Sequence, residues 1–356
     1  MNPLPDPSPV GFAKHSPAPT SPSPASQSPA PSSASSASVP LAPSSSLRFA
    51  DVLAAAARIA PYAHVTPVLR CASLDALSGA QLYFKCENFQ RVGAFKFRGA
   101  CNAVWSLDDA QAAAGVVTHS SGNHGAALAL AARTRSIDAH VVVPEGAVAS
   151  KVAAIAAYGA TVHVCAPTMA AREQMAEQVR LQTGARLVHP FTDPAVIAGQ
   201  GTAALELLRE TGGLDILITP VGGGGLVSGT AIAVSGGAVA AVFGAEPETA
   251  ADAYESLRRG QRVTHLVPDT ICDGLRGTIG EINFTLMREH SVQVLLVSDA
   301  QTLAAMRLIW ERMKILVEPS CATVLAAVLR YPQHFVGKRV GLVLSGGNVD
   351  MDNLPV

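Results

Sequence analysis

A lysine stands between two phenylalanines in Gly93-Ala94-Phe95-Lys96-Phe97-Arg98-Gly99-Ala100. Burying an ammonium costs hydration free energy and lowers its pKa. A desolvated lysine is a usable amine nucleophile, able to form a Schiff base with an aldehyde. Taken alone, the octapeptide fits an ordinary solvated lysine as well, so the other stretches have to decide.

Three glycine-rich corners accompany it. Val116-Val117-Thr118-His119-Ser120-Ser121-Gly122-Asn123-His124-Gly125 reads as a strand running into a helix through small polar residues. The first N–H groups of a helix are unpaired, so this corner can bind a carboxylate; simple capping of the helix by Ser120 or Ser121 is the other reading. Thr219-Pro220-Val221-Gly222-Gly223-Gly224-Gly225-Leu226 is a second strand-to-helix corner. Successive glycines expose a row of backbone N–H groups that can wrap a phosphate, helped by the helix dipole. The run is neither a dinucleotide nor a Walker fingerprint, and a flexible hinge is its competing reading. Leu344-Ser345-Gly346-Gly347-Asn348 follows the last strand, where the serine hydroxyl could donate to a ring nitrogen or the stretch could be a plain turn.

Glu246-Pro247-Glu248-Thr249-Ala250-Ala251-Asp252 adds two carboxylates with carbonyls between them. Oxygen ligands of this kind suit a hard cation, whereas an acidic helix start is the commoner use of such a stretch. A phosphate cradle, a carboxylate cradle, a ring-nitrogen partner and an amine are together what pyridoxal phosphate and an amino acid require.

The elements that must position these groups alternate. Gln81–Lys85, Gly115–His119, His140–Val143, Thr161–Cys165, Arg186–His189, Ile216–Thr219, Val239–Gly244, Val292–Val297 and Arg339–Leu344 read as strands, with helices of roughly 10–15 residues between most of them. Continuous Val/Ile/Leu runs joined by helical crossovers imply mostly parallel sheets covered on both faces, an α/β fold. Ser298 and Gln301 form a capping box ahead of an apolar-periodic helix. Gly229 to Ala245 is apolar but broken by Ser235-Gly236-Gly237, so it reads as a helix end, a turn and a strand, and no membrane span is expected.

The 356 residues carry 26 basic and 27 acidic groups, which leaves no electrostatic footprint for nucleic acid or an anionic membrane. The six cysteines include no C-x-x-C pair, so neither zinc nor a disulfide framework is expected, and a reducing, cytoplasmic setting fits. Twelve of the 24 prolines lie between Pro3 and Pro43, among serines and alanines. Residues 1–47 therefore read as a disordered tail without the basic start and apolar core of a signal peptide.

Taken together, Phe95-Lys96-Phe97-Arg98-Gly99-Ala100, Ser120-Ser121-Gly122-Asn123-His124, Gly222-Gly223-Gly224-Gly225, Ser345-Gly346-Gly347-Asn348 and Pro194-Ala195-Val196-Ile197-Ala198-Gly199-Gln200-Gly201-Thr202 resemble the fold-type-II pyridoxal-phosphate enzymes. The likeness is to the serine racemase and serine/threonine dehydratase group and runs from about Phe49 to Asp350. It implies a tryptophan synthase β-like architecture of two three-layer αβα domains. The large cofactor-binding domain would comprise 48–108 and 193–356, and the small one 109–192. It implies that Lys96 holds the cofactor, that Gly222, Gly223, Gly224 and Gly225 bind its phosphate, and that Phe95 packs near the ring. Asn123 would reach the ring oxygen and Ser345 the ring nitrogen, while Ser120, Ser121, Asn123 and His124 would hold the substrate. Glu246, the Ala250 carbonyl and Asp252 look like the family's divalent-cation site, for Mg²⁺ or Ca²⁺, or else Mn²⁺. A homodimer is implied too. The chain departs from the pattern at Ala126, where a glutamine is usual, and at Pro319-Ser320-Cys321-Ala322, where a more glycine-rich variant is usual. The C-terminal regulatory domain of biosynthetic threonine dehydratases is not expected.

The activity so implied is β-elimination of water from L-serine, L-threonine or 3-hydroxyaspartate, with Lys96 as base. The alternative is racemisation of serine, for which Ser121 would be the second acid/base on the opposite face. A non-catalytic ligand-binding homologue is the third reading, and the joint presence of Lys96, the glycine run and Ser345 speaks against it.

Overall fold

The computed structural model describes residues 47–351, apart from 238, together with residue 354. The expectation of a disordered tail therefore lies, but for Leu47, outside the described residues.

Ten strands form two sheets. They are β1 (Val68–Leu69), β2 (Gln81–Cys86), β3 (Val116–Thr118), β4 (Ala139–Pro144), β5 (Thr161–Cys165), β6 (Arg186–Leu187), β7 (Leu214–Pro220), β8 (Val239–Pro247), β9 (Gln293–Val297) and β10 (Arg339–Leu344). The six-stranded sheet has the order β1-β2-β10-β7-β8-β9, and the four-stranded sheet β5-β4-β3-β6. All pairings are parallel except β1 with β2. Helices cover both faces of each sheet because strands such as β10, buried from Val340 to Leu344, have no polar face to give to water.

The expected strands all form. β1 was not among them, since two residues after a proline carry no periodicity to read. β6 is shorter than expected: it stops at Leu187, and the His189 ring takes backbone N–H groups of the next turn as its partners. The capping box closes as the spacing predicts, with Ser298 and Gln301 exchanging bonds at the start of helix Asp299–Met313. Gly229–Ala245 resolves into the end of helix Gly225–Val234, a turn and β8, and no helix among the described residues is long and apolar enough to cross a membrane. All six cysteines are free.

Two helices that matter for the site sit on a third. A Cβ on Gly199 of helix Pro194–Thr211 would lie 2.7 Å from the Arg98 carbonyl, so that helix touches the backbone of helix Lys96–Trp105. A Cβ on Gly201 would lie 2.5 Å from the Gly229 carbonyl, which seats helix Gly225–Val234 in the same way. The Gly199-Gln200-Gly201 stretch thus locks the lysine-bearing helix and the helix after the glycine run onto one support.

The lysine-bearing helix is also tied from below. Arg98, fully buried, donates from Nε and Nη2 to Glu87 at 2.7 and 2.8 Å, and from Nη1 and Nη2 to Glu206 at 2.7 and 2.8 Å. Lys85, also buried, donates to Glu206 at 2.6 Å and to the Thr66 carbonyl at 2.7 Å. Two cations and two carboxylates balance, and the planar guanidinium forks to both acids. Removing one member of a buried, paired set leaves the rest uncompensated. Arg98→Ala is expected to lower the free energy of unfolding by about 3–5 kcal/mol, read from the urea midpoint. A loss well under 1 kcal/mol would show that water replaces the guanidinium.

Candidate active site

Lys96 opens its helix, two residues beyond a bridge between Ala94 and Gly346. The Phe95 N–H donates to the Ser345 carbonyl at 2.9 Å, so the lysine and the end of β10 share one backbone junction. Lys96 Nζ donates to the Pro190 carbonyl at 3.0 Å and lies 5.1 Å from the centre of the Phe95 ring. Burial pushes its pKa from 10.5 down to about 8, and the nearby Glu318 carboxylate opposes that shift.

Glu318 is itself buried, and burial together with Asp273 raises its carboxyl to about 7. It accepts from the Asn123 amide at 3.0 and 3.2 Å. The Asn123 oxygen in turn accepts from Asn348 at 2.8 Å, and Asn348 also donates to the Val92 carbonyl at 2.8 Å. Asn123 is therefore held at both ends of its amide, by residues from two distant parts of the chain.

Asn123 and His124 begin helix Asn123–Arg135, whose cap is Gly122 and whose start receives no side-chain cap. The capping reading of Ser120 and Ser121 therefore fails, and the first N–H groups of the helix keep no side-chain partner. Ser120 and Ser121 are half-buried in the turn. The turn folds back tightly, since a Cβ on Gly125 would lie 2.0 Å from the Ser120 carbonyl. His124 is buried, with Nε2 3.3 Å from the Val188 carbonyl and Nδ1 without a partner. Burial, then the Lys96 charge, hold it well below the ordinary imidazole pKa, so it is neutral.

The glycine run leaves β7 and enters helix Gly225–Val234. Gly224 has φ of 90°, and a Cβ on Gly223 would fall 2.4 Å from the Phe191 ring. Side chains have no room there, so the backbone itself faces what the corner holds. A bare backbone entering a helix start suits an anion, and the hinge reading has no support in so crowded a place. Ser345 is 4% exposed at the end of β10.

Glu246 and Asp252 are both buried, and each takes backbone N–H groups. The Glu246 oxygens accept from Ala253 and Tyr254 at 2.9 Å each, and Asp252 accepts from Ile279 at 2.6 Å. The acidic-helix-start reading is thus part of the answer. Yet burial, and for Glu246 the Asp252 charge, raise Glu246 well above the usual carboxylate range, and burial raises Asp252 to about 6. No group of three or more Asp, Glu, His or Cys side chains among the described residues gathers there or elsewhere.

Five contributors were not singled out from the sequence. Glu318 was one; its only local signal is a lone carboxylate within Ile315-Leu316-Val317-Glu318-Pro319. His189, Pro190 and Phe191 form the wall between Lys96 and the glycine run, and nothing in their spacing announces it. Lys151 pairs with Asp273, joining helix Ala149–Ala157 to the loop whose Leu275 packs on Gly222. A cleft of about 440 Å³ opens beside Asn123, Lys151 and Asn348.

The family model described as pyridoxal-phosphate dependent enzyme matches residues 59–346. The chain is 46% identical over 308 residues to the beta-hydroxyaspartate dehydratase of Paracoccus denitrificans, covering 86% of this chain and 98% of that one. It is 50% identical over 311 residues to the serine racemase of Dictyostelium discoideum, covering 85% and 95%. The crystal structure of the Dictyostelium serine racemase superimposes with a TM-score of 0.83 over 86% of this chain and all of that one.

The opposing pulls on Lys96 give a signed prediction. The Glu318 carboxylate raises the lysine pKa, so Glu318→Gln is expected to lower the pH at which Lys96 becomes reactive. Acylation of the cofactor-free chain across a pH series, with peptide mapping, measures it. A midpoint that stays put or rises would place Glu318 outside the electrostatics of Lys96.

Proposed function

The chain belongs to the pyridoxal-phosphate-dependent enzymes, and on that premise we propose that it removes water from a small hydroxy amino acid, L-serine, L-threonine or 3-hydroxyaspartate, giving a 2-oxo acid and ammonia. One observation carries this reading: a buried amine whose pKa burial brings near neutrality, on a helix locked beside a side-chain-free glycine corner. The donor set fits the cofactor: an amine for its aldehyde, backbone N–H groups for its phosphate and a hydroxyl for its ring nitrogen. Bound pyridoxal phosphate supplies the electron sink that acidifies the α-hydrogen of an attached amino acid.

The chain's own residues do the rest. Lys96, poised near 8, is partly unprotonated at neutral pH and takes the α-proton as a general base. Gly222 to Gly225 would hold the phosphate through their backbone, Phe95 would pack near the ring, and Ser345 would meet the ring nitrogen with a neutral hydroxyl. A neutral donor would stabilise a charged ring nitrogen less than a carboxylate does, a setting that would suit loss of a β-hydroxyl. The open start of helix Asn123–Arg135, with Ser120, Ser121, Asn123 and His124, orients the substrate carboxylate. Glu318 and Asn348 keep the Asn123 amide in one orientation.

Racemisation of serine is the second reading. The likeness to the Dictyostelium serine racemase supports it, as does the half-buried Ser121 at an uncapped helix start. The assay measures 2-oxo acid release and the chirality of remaining substrate from L-serine, L-threonine and 3-hydroxyaspartate. Elimination should dominate; D-serine appearing faster than pyruvate would reverse the order of the two readings.

Ser121→Ala separates their machinery. Pyruvate release from L-serine should stay within about tenfold, a barrier change under about 1.4 kcal/mol, while D-serine formation disappears. Loss of both would mean that Ser121 serves elimination too.

The Glu246, Ala250 and Asp252 set is proposed to hold Mg²⁺ or Ca²⁺, or else Mn²⁺. Two buried carboxylates, Glu246 raised by burial and by the Asp252 charge, and Asp252 raised by burial, are what such a cation relieves. Asp252 titrates near 6 in the folded chain, above its ordinary 3.8, so the folded state binds more protons than the unfolded. Stability from this group is present below about pH 4 and is lost as pH rises through 6. Mg²⁺ or Ca²⁺ is therefore expected to raise the melting temperature more at about pH 8 than at about pH 5. An equal or absent shift at both values would count against the site.

A further inference from the structure

The segment between β6 and helix Pro194–Thr211 is held by contacts to several distant parts of the chain. The Val188 N–H donates to the Val117 carbonyl at 2.9 Å. The Pro190 carbonyl accepts from Lys96, and the Phe191 carbonyl accepts from Asn283 at 3.0 Å. Asp193 caps the following helix through the Ala195 and Val196 N–H groups. At the centre is His189. Its Nδ1 accepts from the Phe191 N–H at 3.4 Å and the Thr192 N–H at 3.2 Å. Its ring stands edge-on to His119 at 5.1 Å and to Phe191 at 4.6 Å.

Two donors aimed at Nδ1 settle the tautomer. Nδ1 must be the acceptor, so a neutral His189 carries its proton on Nε2. Protonating Nδ1 would set a third hydrogen against both N–H groups. Burial, then His119 and Lys96, lower the pKa further, to about 4. The histidine acts here as an asparagine or aspartate does in a tight turn, holding backbone N–H groups two and three residues on.

We infer that His189 is a positioning residue for Lys96: its Nδ1 holds the 190–192 turn that presents the Pro190 carbonyl to the lysine amine and the Phe191 ring to the glycine run. This rests on the reading of Lys96 as the cofactor lysine only for its catalytic meaning; the geometry stands apart from it. The carbonyl binds an ammonium more strongly than an amine, so it favours the charged form of Lys96. Without the turn, a buried Lys96 loses that partner. His189 itself, being neutral, contributes no charge to the lysine.

Nitrogen-15 spectra of the histidines, in the holoenzyme and the cofactor-free chain, report the tautomer directly. His189 should show a protonated Nε2 and a bare Nδ1 from about pH 6 to pH 9; a proton on Nδ1, or titration near 6.5, overturns the inference. In cofactor-free His189→Ala, the pH midpoint for acylation of Lys96 should fall by about one unit, and in His189→Asn, whose side-chain oxygen can take the same two N–H groups, it should return. Cofactor retention should follow the same order, at least about tenfold weaker in the alanine variant. An unchanged Lys96 midpoint in His189→Ala, or no recovery in a folded His189→Asn, overturns it too. Borohydride reduction of the wild-type holoenzyme tests the premise separately. A pyridoxyl label on a lysine other than Lys96 would refute the catalytic reading and leave the Lys96 pH profile to judge the positioning.

Discussion

The Arg98 guanidinium is the constraint from which the site is built. Two residues from Lys96 and fully buried, it forks to Glu87 before its helix and to Glu206 on the supporting helix. A lysine cannot replace it, because an ammonium has no planar fork to serve two carboxylates at once. With Lys85 completing the charge balance, the start of helix Lys96–Trp105 is pinned between β2 and helix Pro194–Thr211. An amine meant to be desolvated must not swing out to water, and this arrangement removes that freedom.

Above that anchor the site is a junction of chain ends. β3, β7 and β10 each deliver a short corner at their carboxyl ends, which is where open α/β sheets bind ligands. The corners are glycine-rich for a packing reason visible at Gly125 and Gly223, where a side chain would collide with the Ser120 carbonyl and the Phe191 ring. At these positions the backbone itself, with no side chain over it, lines the corner. The electrostatics complement this. Burial alone would leave Lys96 a weak cation, Glu318 opposes that, and the neutral histidines 119, 124 and 189 add polarity without charge.

What places the polar groups is mostly non-local. Asn123 is oriented by Glu318 and Asn348, 195 and 225 residues further on. Lys96 finds the Pro190 carbonyl 94 residues away. Such partners follow from how two sheets and their helices meet, so a change in the 188–193 connection reaches the lysine without touching its helix.

Local sequence was enough for elements whose signal is periodic or compositional. The apolar runs specified nine of the ten strands because a strand buried on both faces has no polar alternative. Ser298 with Gln301 specified a helix start through bonds that span three residues. Four glycines after a strand and a lysine between phenylalanines pointed to a candidate anion corner and a candidate amine only when read together with the other glycine-rich corners, since each stretch alone has an ordinary structural use. Tertiary structure decided the rest. β1 exists only because β2 offers Val68 and Leu69 a partner. The choice between capping serines and an open helix start at Asn123 depended on backbone direction at Gly122. Glu318 and His189 look unremarkable in the chain; their roles arise only where burial strips them of water and distant backbone and amide groups become the only partners within reach.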